Sequence, residues 1–318
     1  MAKSRTVFLR DTDLRGPLLI NVFAVVGLGA VGSLLAYFLN SAGIRPYAVV
    51  RTRCERYLFC AEACRELDVE VVPRAPPSVK YTLIAVKGPD TAKALEAAAG
   101  VPVLFQNGIG GLEMARERFP NALGAVVTYG VYREGCRAEL RGVGEVALPR
   151  GAGEVAEALE RGGARVRVVD DIKPLQWAKL VVNVAINPVT AILRAPNGVV
   201  AEVPWARALA ERLALEAAEV AKAAGYPVDD PVGTVMAVAR ATARNISSMA
   251  QDLARCRPTE VDFINGAVVK YGENSAEAQP KTRGAGLGRF HEPRPRGQWR
   301  RGEGVSPQAG NPRPRGGS

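Results

Sequence analysis

Three polar residues recur at helical spacing in an otherwise apolar stretch of the chain. Lys179, Asn183 and Asn187 stand four residues apart, so they share one face of a predicted helix whose other faces are aliphatic. Burying such a side chain without a partner costs about 1–3 kcal/mol. The stripe therefore either lines a polar site or meets another polar element in a structural network. Pro188 is expected to end or kink this helix.

A second polar group follows farther along the chain and comprises Asn245, Ser247, Ser248, Asp252 and Glu260. Its amides and hydroxyls could hold a substrate carboxylate or hydroxyl, and Glu260 could pair with Lys179. A lysine beside a carboxylate stays charged and can donate a proton to an alkoxide forming next to it. The one histidine, His291, lies in a C-terminal tail, so any acid or base must be lysine, a carboxylate, tyrosine or cysteine.

Glycines near the start of the chain have the spacing of a dinucleotide-binding turn. Gly27, Gly29 and Gly32 follow a β-branched, strand-like run and open an apolar helical pattern. The first glycine permits a tight turn, the second lets the backbone approach a pyrophosphate, and the third allows helix and strand to pack closely. The unpaired N–H groups of the helix then face the phosphates. A glycine-rich turn without a ligand is the alternative.

The end of the second predicted strand carries Arg51 and Arg53, where an NAD-specific site would carry a carboxylate. Guanidinium groups bind phosphate bidentately, so the pair favours the 2'-phosphate of NADP; a solvated basic turn is the alternative. Lys87 and Asn107 follow two further strands, at the edge where a doubly wound sheet binds ligands. Lys87 could reach cofactor phosphate or ribose, and Asn107 could bond to cofactor and substrate, unless both serve only their turns.

The elements that must position these residues alternate between strand and helix in the first half of the chain. Strands are predicted at residues 21–26, 47–50, 69–72, 82–86 and 101–105, then at 124–132, 144–148 and 164–169. This alternation is typical of an α/β fold with a doubly wound, Rossmann-type parallel sheet. Helical patterns at 174–187, 205–225, 232–253 and 259–271 predict an all-helical second domain, with a ligand crevice between the halves.

The predicted domains are an N-terminal extension (1–20), an NADP-binding domain (21–170), a helical substrate-binding and dimerisation domain (171–280) and a tail (281–318). Glycine and proline make up 14 of the tail's 38 residues, so it cannot bury a core and is expected to be disordered.

The net charge of +10 on 318 residues suggests an acidic partner such as nucleic acid. The excess lies at the ends, however: the tail holds nine basic and two acidic residues, and residues 1–20 hold four and two. The remaining body, with 29 basic and 28 acidic residues, is nearly neutral. Nucleic-acid binding is therefore not expected of the body.

An uncharged run from Gly16 to Ile44 is long enough for a membrane span, but its glycines favour a strand, a turn and a helix. The five cysteines lack a CxxC pair, so the sequence spells out neither a disulfide framework nor a metal site, and a reduced intracellular protein is expected. Cys60 and Cys64 are predicted to share a helix face through simple packing; redox chemistry or an intersubunit bridge is the alternative.

Several of these motifs together resemble the 2-dehydropantoate 2-reductase (ketopantoate reductase) family. They are GLGAVG from Gly27, QNG from Gln106, WAKLVVNVAINPVTAILRAPNG from Trp177, RNISSMAQD from Arg244 and TEVDFING from Thr259. The resemblance spans residues 21–274. It implies a cytoplasmic, homodimeric oxidoreductase of pantothenate and coenzyme A biosynthesis that reduces 2-dehydropantoate to (R)-pantoate with NADPH, with NADH also possible and coenzyme A a possible feedback ligand.

The resemblance also implies roles for matched residues. Lys179 would be the general acid that protonates the new C2 hydroxyl, Glu260 would contact Lys179 or the cofactor, and Arg51 would bind the 2'-phosphate. The substrate-binding residues so implied, with Asn245 added from the second polar group, are Asn107, Lys179, Asn183, Asn187, Asn197, Asn245 and Ser248. The nucleotide-binding residues are Gly27, Leu28, Gly29, Ala30, Val31, Gly32, Arg51, Lys87, Asn107, Val131 and Glu260.

Two alternatives stay open from the sequence. One is a related NAD(P)H-dependent 2-oxo acid reductase with another substrate, and the other is an inactive or truncated nucleotide-binding protein whose basic tail binds nucleic acid. The tail stands where the family has a final helix, and we interpret it as a frameshift product or a natural unstructured replacement. An intact mass of 33.8 kDa from the native source would exclude a frameshift.

Overall fold

The computed structural model describes residues 22–274, so the predicted extension and tail lie outside the described residues. In chain order the first part contains β1 (Phe23–Val26), α1 (Ala30–Ser41), β2 (Tyr47–Val49), β3 (Leu58–Cys60), β4 (Cys64–Glu66), β5 (Glu70–Val71), β6 (Tyr81–Ile84), α2 (Thr91–Glu96), β7 (Val101–Leu104), α3 (Gly111–Arg118), β8 (Leu123–Gly124), β9 (Val126–Val127), β10 (Gly130–Glu134), β11 (Arg137–Gly142), β12 (Val146–Pro149), α4 (Gly153–Arg161) and β13 (Val166–Val169). The second part contains α5 (Lys173–Leu193), α6 (Val199–Glu202), α7 (Pro204–Ala223), α8 (Pro231–Ala241), α9 (Ser248–Ala254) and α10 (Val261–Asn274).

A six-stranded parallel sheet in the order β5-β2-β1-β6-β7-β8 confirms the predicted Rossmann-type arrangement. The strand order reverses direction between β1 and β6, and ligands bind such sheets at that point, beyond the carboxyl ends of the strands. The strand, turn and helix predicted in the uncharged run are present as β1 and α1. Within the described residues, no helix has the length and apolar character needed to cross a membrane.

The predicted strand at 124–132 is wrong, because this segment divides into three short strands. β8 joins the six-stranded sheet, β9 pairs with β12 in a three-stranded sheet, and β10 pairs with β11 in a four-stranded sheet of order β10-β11-β3-β4. A run rich in β-branched and aromatic residues fits a strand in any of these sheets, so the sequence pattern alone does not reveal where the chain changes partners.

The prediction that Cys60 and Cys64 share a helix face is wrong. The chain forms the β3–β4 hairpin there, in which Cys60 lies opposite Cys64 and the two form a disulfide. A second disulfide joins Cys54 to Cys136, which also contradicts the expectation of reduced cysteines. Tertiary contacts override the helix propensity of this segment, because Phe59 is fully buried against Tyr37 and the β3 backbone pairs with β11.

The second part is helical, as predicted, and its long central helix α5 packs against α7, α8, α9 and α10. Trp177 is buried there between Tyr226 and Tyr271. The pattern at 232–253 proves to be two helices, α8 and α9. Asp230 caps α8 by accepting from the Gly233 N–H, and the Ser247 hydroxyl caps α9.

Pro188 does not end α5, which continues to Leu193. A proline removes the N–H that would bond to the carbonyl four residues earlier, here that of Val184. The Asn265 side-chain amide of α10 donates to this carbonyl at 3.3 Å. A neighbouring helix thus supplies the donor that the proline removes, which explains why the helix persists.

We expect Asn265→Ala to lower the free energy of unfolding by about 1 kcal/mol, because the Val184 carbonyl then loses its donor. Adding Pro188→Ala should recover this loss by restoring a backbone N–H. Urea unfolding of both single variants and the double variant measures the coupling, with exposed Lys270→Ala on the same helix as the control. If the effects of the two changes on the free energy of unfolding are strictly additive, the Asn265 amide does not replace the N–H that Pro188 lacks.

Candidate active site

The turn between β1 and α1 has the geometry that its three glycines predict. Gly27 has φ +92°, which favours glycine, and its N–H donates to Val49 at 2.9 Å. A Cβ on Gly32 would lie 1.9 Å from the Gly27 oxygen, so helix and turn meet backbone to backbone. A Cβ on Gly29 would meet only the Ala85 oxygen, at 3.8 Å, within the described residues. The side of the turn at Gly29 is therefore open.

The N-terminus of α1 fits a pyrophosphate. No side chain caps it, and its first turn carries no acidic residue to compete for the helix N–H groups. Ala30 and Val31 begin the helix, so they offer backbone N–H groups, whereas Leu28 is buried in the core. These residues fit a dinucleotide phosphate held by backbone donors.

Arg51 lies just beyond the end of β2, at the position where the second strand of such a sheet contacts the adenosine ribose. Its side chain is 81% exposed, and its guanidinium is 3.5 Å from the Asp90 carboxylate. Arg53 is also exposed. The arginines are accessible to a phosphate, and their exposure is equally compatible with a solvated basic turn.

Lys87, three residues beyond the end of β6, makes contacts that the sequence did not predict. Its ammonium lies 2.5 Å from Asp252 of α9 and 3.4 Å from the Pro258 carbonyl. Asp252 is buried, so this ion pair joins the sheet edge to the helical part. Asp252 stood in the second polar group without a specific role, and only its position beside Lys87 reveals one.

Glu260 is buried where the carboxyl edge of the sheet meets the start of α10. Its carboxylate accepts a hydrogen bond from the Gly88 N–H at 3.1 Å and one from the Asn107 amide at 3.4 Å. Burial raises the pKa of Glu260, and these two donors oppose the rise. The structure therefore brings Glu260 and Asn107, which are 153 residues apart in sequence, into direct contact.

Lys179 lies on α5, half-buried, and its ammonium donates to the Val127 carbonyl of β9 at 2.5 Å. Burial lowers the pKa of Lys179 to about 8, while the negative charge of Glu260 opposes the shift. The predicted contact between the two residues is thus an electrostatic interaction, whereas the hydrogen bond of Lys179 goes to a backbone carbonyl. A lysine with this pKa is mostly charged at neutral pH and can also release its proton there.

The other amides of the polar stripe lie along the same helix. Asn183 is half-buried and Asn187 is buried. Asn197, which follows α5, donates from its amide to the Thr242 hydroxyl at 2.9 Å, and its N–H donates to the Asn245 carbonyl at 2.9 Å. The Asn197 Oδ1 is buried and has no hydrogen-bond partner among the described residues. This orphaned acceptor points to a polar ligand.

The roles of the three remaining predicted site residues, Asn245, Ser248 and Val131, stay predictions, and the structure places them as follows. Asn245 acts through its backbone carbonyl on Asn197, and the exposed Ser248 begins α9. Its neighbour Ser247 is buried and structural, since its hydroxyl accepts from the Thr190 hydroxyl at 2.8 Å. Val131 lies in β10, outside the six-stranded sheet but in a strand against which α1 packs.

Together these features define a dinucleotide-dependent oxidoreductase fold: a Rossmann-type sheet with a glycine turn, joined to helices that carry a half-buried lysine. The family model "Ketopantoate reductase PanE/ApbA" matches residues 23–153, and its C-terminal counterpart matches residues 171–283. The chain belongs to the ketopantoate reductase family.

Individual relatives agree with this assignment. A 2-dehydropantoate 2-reductase from Pyrobaculum aerophilum is 54% identical over 80% of this chain and 92% of the relative. A solved PanE/ApbA family ketopantoate reductase from Ralstonia eutropha has 26% identity and a TM-score of 0.73, covering 79% of this chain and 91% of that one. A dimeric ketopantoate reductase from Staphylococcus aureus, 23% identical over 79% and 91% of the chains, shares the fold with a TM-score of 0.71.

Proposed function

We propose that this protein reduces 2-dehydropantoate to (R)-pantoate with NADPH. The observation that carries the proposal is the placement of Lys179, a lysine with a lowered pKa, near the Glu260–Asn107 pair at the carboxyl edge of the sheet. The bound cofactor supplies a hydride, from its nicotinamide C4, to the C2 carbonyl of the substrate. The residues of the chain must then position both molecules and deliver one proton.

Lys179 is the proposed proton donor. Its hydrogen bond to the Val127 carbonyl fixes the ammonium group on one side, which leaves its other N–H bonds free to meet the substrate oxygen. The ammonium stabilises negative charge developing on that oxygen and then transfers a proton to it. Burial strengthens both effects, because it removes competing water and lowers the pKa of the donor.

The amides of Asn183, Asn187 and Asn197 and the hydroxyl of Ser248 are the proposed substrate contacts. The unpartnered Asn197 Oδ1 can accept a hydrogen bond from the substrate hydroxyl, since a neutral acceptor suits a hydroxyl better than a carboxylate. Asn183 and Asn187 offer amide donors on the same helix face as Lys179. The Ser248 hydroxyl can donate to the carboxylate, and Asn107 orients the reacting groups.

The remaining assignments concern the cofactor and the assembly. We assign the pyrophosphate to the Gly27 turn and the 2'-phosphate to Arg51, with Lys87 and Val131 beside the nucleotide. A dimer is proposed by analogy with the dimeric Staphylococcus aureus relative. Coenzyme A feedback, the cytoplasmic location and the division near residue 170 stay predictions.

A spectrophotometric assay tests the function directly. We expect rapid oxidation of NADPH with 2-dehydropantoate and slower turnover with NADH. Pyruvate and 2-oxoisovalerate, which lack the substrate's hydroxyl group, should be poor substrates because Asn197 would then stay unpaired. Faster turnover of either acid would favour the alternative 2-oxo acid reductase, and no turnover of any acid would favour an inactive nucleotide-binding protein.

The pH dependence of kcat/KM should fall at alkaline pH. Lys179 must be protonated to act, and its pKa is about 8, so its charged fraction decreases above that pH. We expect kcat/KM for 2-dehydropantoate to approach a tenfold loss per pH unit above about pH 8. Initial rates between pH 6 and pH 10, at saturating NADPH and with buffers of constant ionic strength, measure this. A profile that stays level to pH 10 would contradict the assignment.

A further inference from the structure

The loop that carries Arg51 crosses between two separate sheets. It leaves the six-stranded sheet at the end of β2, Val49, and enters the four-stranded sheet at the start of β3, Leu58. It contains no helix or strand, and the Arg51 side chain within it is largely exposed. Its guanidinium contacts Asp90 at 3.5 Å, and the loop that carries it determines from where the side chain extends.

Several of the noncovalent contacts in this loop centre on one tyrosine. The buried Tyr57 hydroxyl accepts from the Cys54 N–H at 3.1 Å and donates to the Thr52 carbonyl at 3.2 Å. These bonds shape the chain immediately after Arg51. Tyr57 is itself anchored, because its ring lies in the core and its carbonyl accepts from the Leu67 N–H at 2.8 Å. These bonds do not join the middle of the loop to the turn between β10 and β11.

A covalent bond adds an attachment to that turn. Cys54 is joined to Cys136, which occupies the turn between β10 and β11. That turn is well fixed, since β10 and β11 pair along their length, β11 pairs with β3, and the Leu58 N–H donates to the Cys136 carbonyl at 2.9 Å. The disulfide therefore ties the middle of the Arg51 loop to a rigid hairpin.

The second disulfide provides a comparison within the same sheet. Cys60 and Cys64 lie opposite each other on β3 and β4, which are already held together by strand pairing. Their bond adds no attachment to the Arg51 loop.

We propose that the Cys54–Cys136 disulfide is a cofactor-specificity determinant, because it holds Arg51 where its guanidinium meets the adenosine 2'-phosphate. The inference rests on the role proposed above for Arg51. A loop fixed before binding loses less entropy when the phosphate binds, so opening the disulfide weakens NADPH binding. NADH lacks the 2'-phosphate and is affected little. Cys54 and Cys136 are thus positioning residues that act through Arg51.

The experiment measures dissociation constants for NADPH and NADH by fluorescence titration, which does not depend on turnover. The full-length C54S/C136S variant is expected to bind NADPH about tenfold more weakly and NADH with less than about a twofold change. The matched C60S/C64S variant should bind both as the parent does. In the C60S/C64S variant, dithiothreitol should reduce the Cys54–Cys136 disulfide by thiol–disulfide exchange, which gives two protein thiols and one cyclic dithiothreitol disulfide. The reduced protein should show the same tenfold loss of NADPH affinity, and reoxidation should restore the affinity.

Several outcomes would overturn the proposal. An unchanged NADPH constant, or equal losses for both cofactors, would show that the disulfide does not act on phosphate recognition. Five thiols titrating in the folded, unreduced chain, instead of Cys256 alone, would show that the bond does not form. If C54S/C136S fails to fold, dithiothreitol treatment of C60S/C64S gives the same comparison. Arg51→Ala separates the two proposals: NADPH binding unaffected by this change would refute the role of Arg51 itself.

Discussion

Replacing Lys179 with alanine should lower kcat for 2-dehydropantoate reduction by about 10²- to 10⁴-fold, the range that a positioned proton donor contributes. The dissociation constant for NADPH should change little, because Lys179 lies on α5 and not on the glycine turn. The residual activity should also lose the decline above about pH 8, since the group that causes it is gone. Stopped-flow turnover between pH 6 and pH 10 measures kcat and its pH dependence, and cofactor titration in parallel measures the NADPH dissociation constant.

Two further variants sharpen this result. Lys179→Arg keeps the positive charge but cannot release a proton near neutral pH, so it should recover only the part of the rate due to charge stabilisation. Lys222→Ala removes an exposed lysine of α7 and should behave as the parent. Near-normal turnover in Lys179→Ala would exclude the proposed proton donor, whatever the cofactor data show.

The second large effect is expected at the glycine turn, where Gly29→Ala and Gly32→Ala should behave differently. At Gly29 a methyl group has space in the protein but would occupy the open side of the turn. NADPH binding should weaken by about ten- to hundredfold, with the free energy of unfolding within about 0.5 kcal/mol of the parent. At Gly32 the methyl would collide with the Gly27 backbone. Both cofactor binding and stability should fall, the latter by about 1–3 kcal/mol.

Gly153→Ala is the matched control for both glycine variants. Gly153 also begins a helix, α4, and a Cβ there meets nothing within 4 Å among the described residues. The Gly153→Ala change should leave NADPH binding and the free energy of unfolding unchanged. Thermal unfolding and cofactor titration of the three variants make the test. Unchanged NADPH binding in Gly29→Ala would mean that the open side of the turn is not where the pyrophosphate binds, and equal loss of stability in Gly29→Ala and Gly32→Ala would mean that this side is not open.

Much of the architecture followed from local patterns. Apolar runs between helical segments predicted the parallel sheet, and the spacing of Lys179, Asn183 and Asn187 predicted a polar stripe on one helix. Glycine spacing predicted the turn before α1. These predictions succeeded because they depend on residues close in sequence, whose periodicity and backbone freedom are visible in the chain itself.

Only the tertiary structure decided the contacts between distant segments. The composition around Cys60 favours a helix, but the segment forms a strand that pairs with β11. Pro188 lies within α5 because the Asn265 amide of α10 donates to the Val184 carbonyl, which the proline leaves without its backbone donor. The Lys87–Asp252 pair and the Cys54–Cys136 bond likewise join residues far apart in the chain. The sequence by itself determined the elements and the chemical groups available to the site. Their partners, and the lowered pKa of Lys179, depend on burial and on neighbours that only folding brings together.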